Sequence, residues 1–370
     1  MKVLIAAAGT GGHINPGIAI ANKIVKEDPE SKVVFVGTSR GLENDLVPRA
    51  GYELKHINAY GFNRHINIDN LKKFYKTLRS GKEAKKIIKE FDPDIVIGTG
   101  GYITAVVGYS AKKQKKPVML HESNAFPGMA VKMLEKKADT ILVGFEDAKL
   151  RLVKAKNVVV TGTPTKIKNK NLQDFEKKEV LSNYKFKNDN PTVLVFGGSQ
   201  GSRTINEALI NIITNNRNSN YNIIWSTGSG GYDTVKEEFE NNNININNIE
   251  NARIVPYIYN MDEILNAVDM VVCRSGALTI TEISNVGKPA IFIPFPYATE
   301  NHQEFNARVL EKVGAAKIIL DKNLNGEILD SQIQSIISNP QNMKEMGKKA
   351  REISINDVED KIYSEIKKLL

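Results

Sequence analysis

The chain reads as short apolar runs, each stopped by glycine or a small polar residue and followed by a longer segment with helical spacing. Lys2–Ala8 stops at Gly9-Thr-Gly-Gly12, Lys32–Val36 at Gly37-Thr-Ser39, and Asp94–Ile97 at Gly98-Thr-Gly-Gly101. Pro117–Leu120 leads into His121-Glu-Ser-Asn124, Thr140–Val143 into Gly144, and Asn157–Val160 into Thr161-Gly-Thr-Pro164. Strand–loop–helix alternation of this kind predicts a parallel, doubly wound sheet. The pattern then restarts. Thr192–Phe196 stops at Gly197-Gly-Ser-Gln-Gly201, Asn222–Trp225 at Ser226-Thr-Gly-Ser-Gly230, and Ala252–Val255 at Pro256. Asp269–Cys273 runs into Arg274-Ser-Gly276 and Pro289–Ile293 into Pro294-Phe-Pro296. A polar, Lys/Asn-rich stretch, Lys166–Asn190, separates the two series. The prediction is an α/β protein with two Rossmann-like parallel-sheet domains, residues 1–163 and 164–345, the switch falling near Thr163–Lys166. Val358–Leu370 has helical spacing, and the Asn/Ile-rich Asn241–Asn251 reads as a surface loop.

The apolar runs are too short for anything but buried strands; a membrane-spanning helix needs roughly 20 residues. The N-terminus passes directly from Met1-Lys2 into an apolar run with no cleavage-like segment, so it reads as a first strand instead of a signal peptide. Cys273 is the only cysteine, which excludes intramolecular disulfides and fits a reducing compartment. The formal net charge of +9 suits an anionic partner: nucleic acid, anionic lipid or a phosphorylated substrate. No basic stripe interleaved with aromatics and no nucleic-acid module is present, so nucleic acid is not the expected partner.

Glycine loops at the carboxyl ends of parallel strands let the backbone approach a phosphate, and the helix that follows supplies N–H donors. Gly9-Thr-Gly-Gly-His-Ile14 and Gly98-Thr-Gly-Gly-Tyr-Ile103 match at five of six positions, and Gly197-Gly-Ser-Gln-Gly201 is a third such loop. Taken singly, any of them could be no more than a tight turn. A dinucleotide site is excluded, because Ile14 stands where the third glycine of that fingerprint belongs and the second strand ends in Gly37-Thr38 without an acid. None of the loops ends in the Gly-Lys-Ser/Thr of a P-loop. Asp92-Pro-Asp94 has the spacing of a metal-binding acidic pair but precedes its strand, so it reads as a turn on the edge away from the loops. No other cluster has metal-ligand spacing, and neither a catalytic metal nor another cofactor is expected. In the second half, Arg274-Ser-Gly-Ala-Leu-Thr-Ile-Thr-Glu282 would open a helix and place Glu282 about two turns in. A carboxylate there can accept two hydroxyl hydrogen bonds and suits a ribose diol; the alternative is a solvated helix residue. The loop Pro294–Gln303 is braced by proline and rich in amide and imidazole groups.

Five segments together carry a resemblance: Gly9-Thr-Gly-Gly-His-Ile-Asn-Pro-Gly17, His121-Glu-Ser-Asn124, Gly197-Gly-Ser-Gln-Gly-Ser202, Cys273-Arg-Ser-Gly-Ala-Leu-Thr279 and Asn301-His-Gln303. In order and over nearly the whole chain they resemble the MurG family, the family 28 N-acetylglucosaminyltransferases of bacterial peptidoglycan synthesis. The resemblance implies a GT-B fold, two Rossmann-like domains facing across a cleft, with the C-terminal helix (about 346–370) packed back on the first. It implies inverting transfer of GlcNAc from UDP-GlcNAc to the C4 hydroxyl of the muramyl sugar of a polyprenyl-linked acceptor, lipid I, and a role in cell shape and division. Its donor contacts fall on Thr10, Gly11, Gly12, Asn124, Ser199, Ile258, Ala277, Leu278, Thr279, Glu282 and Gln303. Ile258 would hold the uracil and Glu282 the ribose, while Ser199 would face the diphosphate. Lys166 stands where the family often has arginine; it keeps the charge and loses the bidentate fork.

His13 is the candidate base for the acceptor hydroxyl, since an imidazole with pKa near 6.5 suits the role; the alternative is that it orients acceptor or diphosphate without moving a proton, and Glu122 is a second, weaker candidate for the base. Helix N–H groups with Arg203 or Lys166 would stabilise the leaving UDP. A lipid acceptor calls for an anionic membrane surface, placing the enzyme peripherally on the cytoplasmic face, with other cell-wall and division proteins as possible neighbours. Leu71, Phe74, Tyr75 and Leu78 fall on one helical face flanked by Lys72, Lys73, Lys76 and Arg79, and Lys112, Lys113, Lys115 and Lys116 form a second basic cluster. The alternative for the first is an ordinary helix with its apolar face in the core. The alternative for the activity is transfer to diacylglycerol on the same fold.

Overall fold

In the first strand, β1 (Lys2–Ala7), Val3, Ile5 and Ala7 point to one face of the sheet and Leu4 and Ala6 to the other. All five are buried, as in a parallel sheet covered on both sides. The computed structural model describes residues 1–60 and 68–370, and for residues 68–78 the backbone alone. From β1 the chain continues through α1 (Gly11–Glu27), β2 (Lys32–Gly37), α2 (Glu43–Arg49), β3 (Glu53–His56) and α3 (Ile68–Phe91). Next come β4 (Ile95–Gly100), α4 (Tyr102–Lys113), β5 (Val118–Glu122), α5 (Met129–Leu134), β6 (Thr140–Val143), α6 (Glu146–Lys149) and β7 (Val158–Val160). These strands make a seven-stranded sheet in the order β3-β2-β1-β4-β5-β6-β7, every pair parallel.

The second series runs α7 (Asp174–Ser182), β8 (Thr192–Phe196), α8 (Arg203–Thr214), β9 (Asn222–Ser226), α9 (Tyr232–Asn241), β10 (Ala252–Val255), α10 (Met261–Ala267) and β11 (Met270–Cys273). It continues with α11 (Ala277–Val286), β12 (Ala290–Phe292), α12 (His302–Lys312), β13 (Ala316–Ile318), α13 (Gly326–Ile337), α14 (Pro340–Glu352) and α15 (Val358–Leu369). Its sheet has the order β10-β9-β8-β11-β12-β13 and is again parallel. In each sheet the order reverses once, at β1/β4 and at β8/β11; at the first of these switch points the helices that follow, α1 and α4, pass to opposite faces of the sheet.

The chain divides into two units, Met1–Thr165 with Ile355–Leu370, and Lys166–Ser354. In the first, α1 lays Ile14, Ile18 and Ile24 on the Val3/Ile5 face, and Val358, Ile362 and Ile366 of α15 complete that cluster. On the opposite face α4 contributes Ile103, Val107 and Ala111. Each such fully buried aliphatic side chain contributes about 1.5–3 kcal/mol. The return to the first unit begins at Ile355, later than position 346. Met346, Gly347 and Ala350 of α14 are buried within the second unit, where α14 packs on α11. The second core gathers Val193, Val195, Leu209, Phe239 and Trp225, whose indole N–H donates to the side-chain Oδ1 of Asn206 at 3.2 Å.

Several sequence expectations change. The edge strands β3 and β13 are additions to the predicted set: β3 has one apolar residue in four, and in β13 Lys317 interrupts the apolar stretch Ala315–Leu320. Asn241–Asn251 is anchored: it forms a 3-10 turn at Ile246–Asn248, and Ile244, Ile246 and Ile249 pack on the second core. Lys112 and Lys116 are held by Asp139 (2.8 Å) and Asp92 (2.6 Å), which takes two charges out of the second basic cluster. Asp94 accepts the Lys2 N–H at 2.7 Å on the edge away from the glycine loops. The segment Leu71–Arg79 lies on α3, but its side chains fall outside the described residues apart from Arg79, which is exposed.

Candidate functional site

The two matching glycine loops follow β1 and β4, the adjacent strands of the first switch point, and they touch. An added Cβ on Gly101 (φ +78°) would stand 2.5 Å from the Ala8 carbonyl oxygen, and one on Gly100 (φ +129°) would stand 2.2 Å from Cδ2 of the His13 ring. The β1–β4 register slips between Ala6 and Ala7, whose partners are Gly98 and Gly100. Thr99, left between them, donates its hydroxyl to the His13 carbonyl at 2.7 Å. His13 sits in the first turn of α1 with Nδ1 3.1 Å from the Ala8 carbonyl. A neutral ring donating there carries its lone pair on Nε2, the form that can take up a proton.

Neither Thr10 before α1 nor Gly101 before α4 caps its helix with a side chain. The first N–H groups of both helices, those of Gly11 and Gly12 among them, are donors of the kind that bind anions. Asn124 reaches the same edge from β5. Glu122 is used locally: one oxygen accepts the N–H and side-chain amide of Asn124, both at 2.9 Å, and the other the Gly128 N–H at 2.7 Å. That geometry makes Glu122 the organiser of the Asn124 loop. Beside it His121 is wholly buried, its Nε2–H donating to the Gly162 carbonyl at 3.0 Å. Burial drives its pKa from 6.5 down to about 4, against the raising effect of that carbonyl.

In the second unit the loop after β8 is pressed flat: a Cβ on Gly201 (φ +79°) would be 2.1 Å from the Thr227 carbonyl oxygen. Ser202 closes the loop and caps α8 with its hydroxyl, leaving Ser199 exposed at the tip. Across the switch point α11 begins at Ala277 after Gly276, which supplies no side-chain cap, so the N–H groups of Ala277, Leu278 and Thr279 open the helix. Glu282 follows on the same helix. Cys273 is buried at the end of β11; burial first and the Glu282 charge second push its thiol well above the usual range, so it is inert. Ile258 is buried beyond the end of β10, between the exposed Tyr257 and Tyr259.

Three side chains brace these loops, and of them only Gln303 was singled out from the sequence, as a donor contact. Arg274 donates to Ser202 Oγ (2.6 Å), Thr204 Oγ1 (3.1 Å) and the Ile293 and Pro294 carbonyls (3.0 and 3.2 Å), and pairs with Asp321. It thereby ties together the loops after β8, β11 and β12. Gln303 turns its side-chain oxygen inward to accept the Ser275 and Phe295 N–H groups at 3.2 and 3.0 Å. Glu43 braces the first glycine loop by accepting the Gly9 N–H. Arg203 is paired with Glu207 at 2.7 Å along its own helix, and Lys166 is exposed at the first position of the second unit.

Thus Thr10, Gly11, Gly12, His13, Glu122 and Asn124 gather at the carboxyl edge of the first sheet. Ser199, Ile258, Ala277, Leu278, Thr279, Glu282 and Gln303 gather at that of the second. Among the described residues no group of three or more His, Cys, Asp or Glu is placed to hold a metal ion, and no helix is long and apolar enough to cross a membrane.

The glycosyltransferase family 28 N-terminal domain matches residues 3–143 and the family 28 C-terminal domain residues 192–362. A UDP-N-acetylglucosamine--N-acetylmuramyl-(pentapeptide) pyrophosphoryl-undecaprenol N-acetylglucosamine transferase of Thermoanaerobacter sp. (strain X514) is 42% identical over 369 residues, spanning 100% of both chains. The protein of the same name from Ruminiclostridium cellulolyticum is 40% identical over 370 residues, again over 100% of both. Among solved structures, Acinetobacter baumannii MurG superposes with a TM-score of 0.78 at 26% identity, covering 99% of each chain. A UDP-GlcNAc 2-epimerase from Neisseria meningitidis bound to UDP-GlcNAc, at 15% identity and a TM-score of 0.66, shares the fold alone.

Proposed function

Because the chain belongs to glycosyltransferase family 28 and, within it, to the MurG family, we propose that the two loop edges divide the transfer reaction between donor and acceptor. The enzyme transfers N-acetylglucosamine from UDP-GlcNAc to the muramyl sugar of undecaprenyl-pyrophosphoryl-MurNAc-pentapeptide, giving lipid II and UDP in peptidoglycan synthesis. The observation that carries the division is the set of helix N-termini opened by glycine at both switch points.

On the second unit, the N–H groups of Ala277, Leu278 and Thr279 and the Gly197–Ser202 loop receive the diphosphate. Glu282 accepts the ribose hydroxyls, the backbone of Ile258 reads the uracil, and Gln303 holds the sugar side of the loop through its amide. Lys166 adds a charge toward the same ligand, while Thr10, Gly11, Gly12 and Asn124 of the first unit offer hydrogen-bond donors for the sugars of the reaction. On the first unit, His13 Nε2 takes the proton of the acceptor C4 hydroxyl as that oxygen attacks the anomeric carbon. The anomeric C–O bond to UDP breaks with inversion, and the leaving diphosphate keeps the electron pair, stabilised by the N–H groups aimed at it. This charge stabilisation asks for no metal. A lipid acceptor calls for a peripheral enzyme, and the cytoplasmic face of the cell membrane is the location this reading assigns.

UDP release from UDP-GlcNAc should require a lipid I analogue, and diacylglycerol should not replace it. The rate should persist in excess EDTA. Turnover with diacylglycerol alone, or full loss on chelation restored by Mg²⁺, overturns the corresponding half of the proposal.

A further inference from the structure

Glu43 is a fully buried carboxylate that none of the steps above uses. It opens α2, just beyond the end of β2. One oxygen accepts the Thr38 N–H at 2.9 Å and the Thr38 hydroxyl at 2.8 Å. The other accepts the Gly9 N–H at 3.0 Å, across 34 positions of sequence. Space for the carboxylate is made by two glycines: a Cβ on Gly41 would stand 2.0 Å from Glu43 Oε2, and one on Gly37 2.6 Å from its Cγ.

Leaving a buried carboxylate charged is costly unless hydrogen bonds compensate it. Here burial would raise the carboxyl pKa, and the N–H groups of Gly9 and Thr38 with the Thr38 hydroxyl outweigh it, holding the group below its ordinary value. A surface turn does not need such a device. Its target is one N–H, that of Gly9, the residue whose left-handed backbone (φ +97°) turns β1 into the loop carrying Thr10 and His13.

We propose that Glu43 is a positioning residue for the transfer reaction: its carboxylate fixes Gly9, so that the first N–H groups of α1 and the ring of His13 are held in one arrangement. The proposal rests on the reading that the Gly9–His13 loop takes part in acceptor activation. Glu43 itself touches neither substrate. Its effect should therefore fall on kcat, while the donor contacts on the second unit are untouched.

The decisive substitution is Glu43→Gln. It keeps size and shape, but its NH2 must face either the Thr38 or the Gly9 N–H, donor against donor. The expected result is a kcat at least tenfold lower, with the UDP dissociation constant, which reads the second unit's contacts alone, within twofold and unfolding still cooperative. Gly41→Ala is the second arm, because it displaces the carboxylate without removing its charge and should lower kcat in the same way. It decides the matter if Glu43→Gln does not fold. His13→Ala is measured alongside. If His13→Ala loses turnover while folded Glu43→Gln and Gly41→Ala keep kcat within twofold, Glu43 does not position the loop. An equal loss of UDP affinity and kcat also overturns the proposal, since it marks a global defect. If His13→Ala keeps turnover as well, the reading of the loop fails, and the proposal falls with it.

Discussion

Gly100 lies so close to His13 that the imidazole occupies the space a side chain at position 100 would need, since a Cβ added there would come within 2.2 Å of Cδ2. The repeated Gly-Thr-Gly-Gly is thus two loops in contact, one seating the histidine of the other. Gly100→Ala should push the ring aside and also strain a backbone at φ +129°. Turnover should fall by about ten- to a hundredfold, as for a small misplacement of a reacting group, while calorimetry gives unchanged UDP affinity. Full activity in this variant would show that the ring position does not matter to the reaction.

Glu282→Ala should raise the KM for UDP-GlcNAc by roughly ten- to a hundredfold, corresponding to about 1.5–3 kcal/mol for a hydrogen bond to a charged group. Melting should be little changed, because Glu282 is only half-buried on α11. Unchanged nucleotide affinity by calorimetry would remove Glu282 from the ribose.

His121 sets a pH dependence of stability. Its folded pKa of about 4 lies below the ordinary 6.5, so the folded state keeps the ring neutral where the unfolded chain binds a proton. The contribution is present above pH 6.5 and is lost as pH falls from 6.5 toward 4; a shift of this size is on the order of 3 kcal/mol. Denaturant titrations of wild type and His121→Gln should therefore converge as pH falls through that window, the glutamine amide still reaching the Gly162 carbonyl. Parallel stability curves would show that His121 does not titrate there.

How much of this was legible depends on what a residue's neighbours in sequence reveal. Buried central strands announce themselves, since both faces need apolar side chains, and Val3–Ala7 or Met270–Cys273 admit little else. Glu53–His56 and Ala316–Ile318 sit at sheet edges, are partly exposed and need only a few residues, so polar side chains break their apolar pattern: only Leu54 is apolar in the first, and Lys317 splits the second. The glycine loops and the start of α11 were readable because close backbone approach demands glycine. Glu43 and Arg274 were not: their partners Gly9 and Asp321 lie 34 and 47 positions away, and no local spacing encodes that meeting. For Glu43 the one local signal was a pair of flanking glycines, Gly37 and Gly41, which vacate the space it fills. Glu122 shows the reverse: a carboxylate at a loop invites a catalytic reading until its oxygens are seen to be taken by Asn124 and Gly128.

A second candidate for a membrane face, beside the segment expected on α3, lies among the described side chains. Met129 and Met133 on α5 and Leu150 and Val153 beyond α6 are more than half exposed. The two stretches adjoin, since Lys132 and Arg151 both lie over the Phe126 ring, at 3.9 and 5.6 Å, and Lys154 N–H donates to Glu135. Apolar tips beside cations suit an anionic bilayer, each cation adding about 1 kcal/mol near the surface. Met133→Ser with Leu150→Ser should weaken vesicle binding without lowering the melting temperature. Lys72, Lys73 and Lys76 changed together to Glu test the α3 segment in the same assay. Unaltered binding to anionic vesicles in both sets would place the membrane face elsewhere.

The first unit is assembled from the two ends of the chain, with the whole second unit strung between them. At the roughly 5–20 residues per second of synthesis, α15 leaves the ribosome on the order of ten seconds or more after β7. Through that interval the cluster of Ile14, Ile18 and Phe35 lacks Val358, Ile362 and Ile366, and a greasy flank of α1 faces solvent. The nascent protein therefore finishes its second unit first and closes its first unit last, so a stop codon just ahead of Ile355 would spare the later-made unit and cripple the one made earlier.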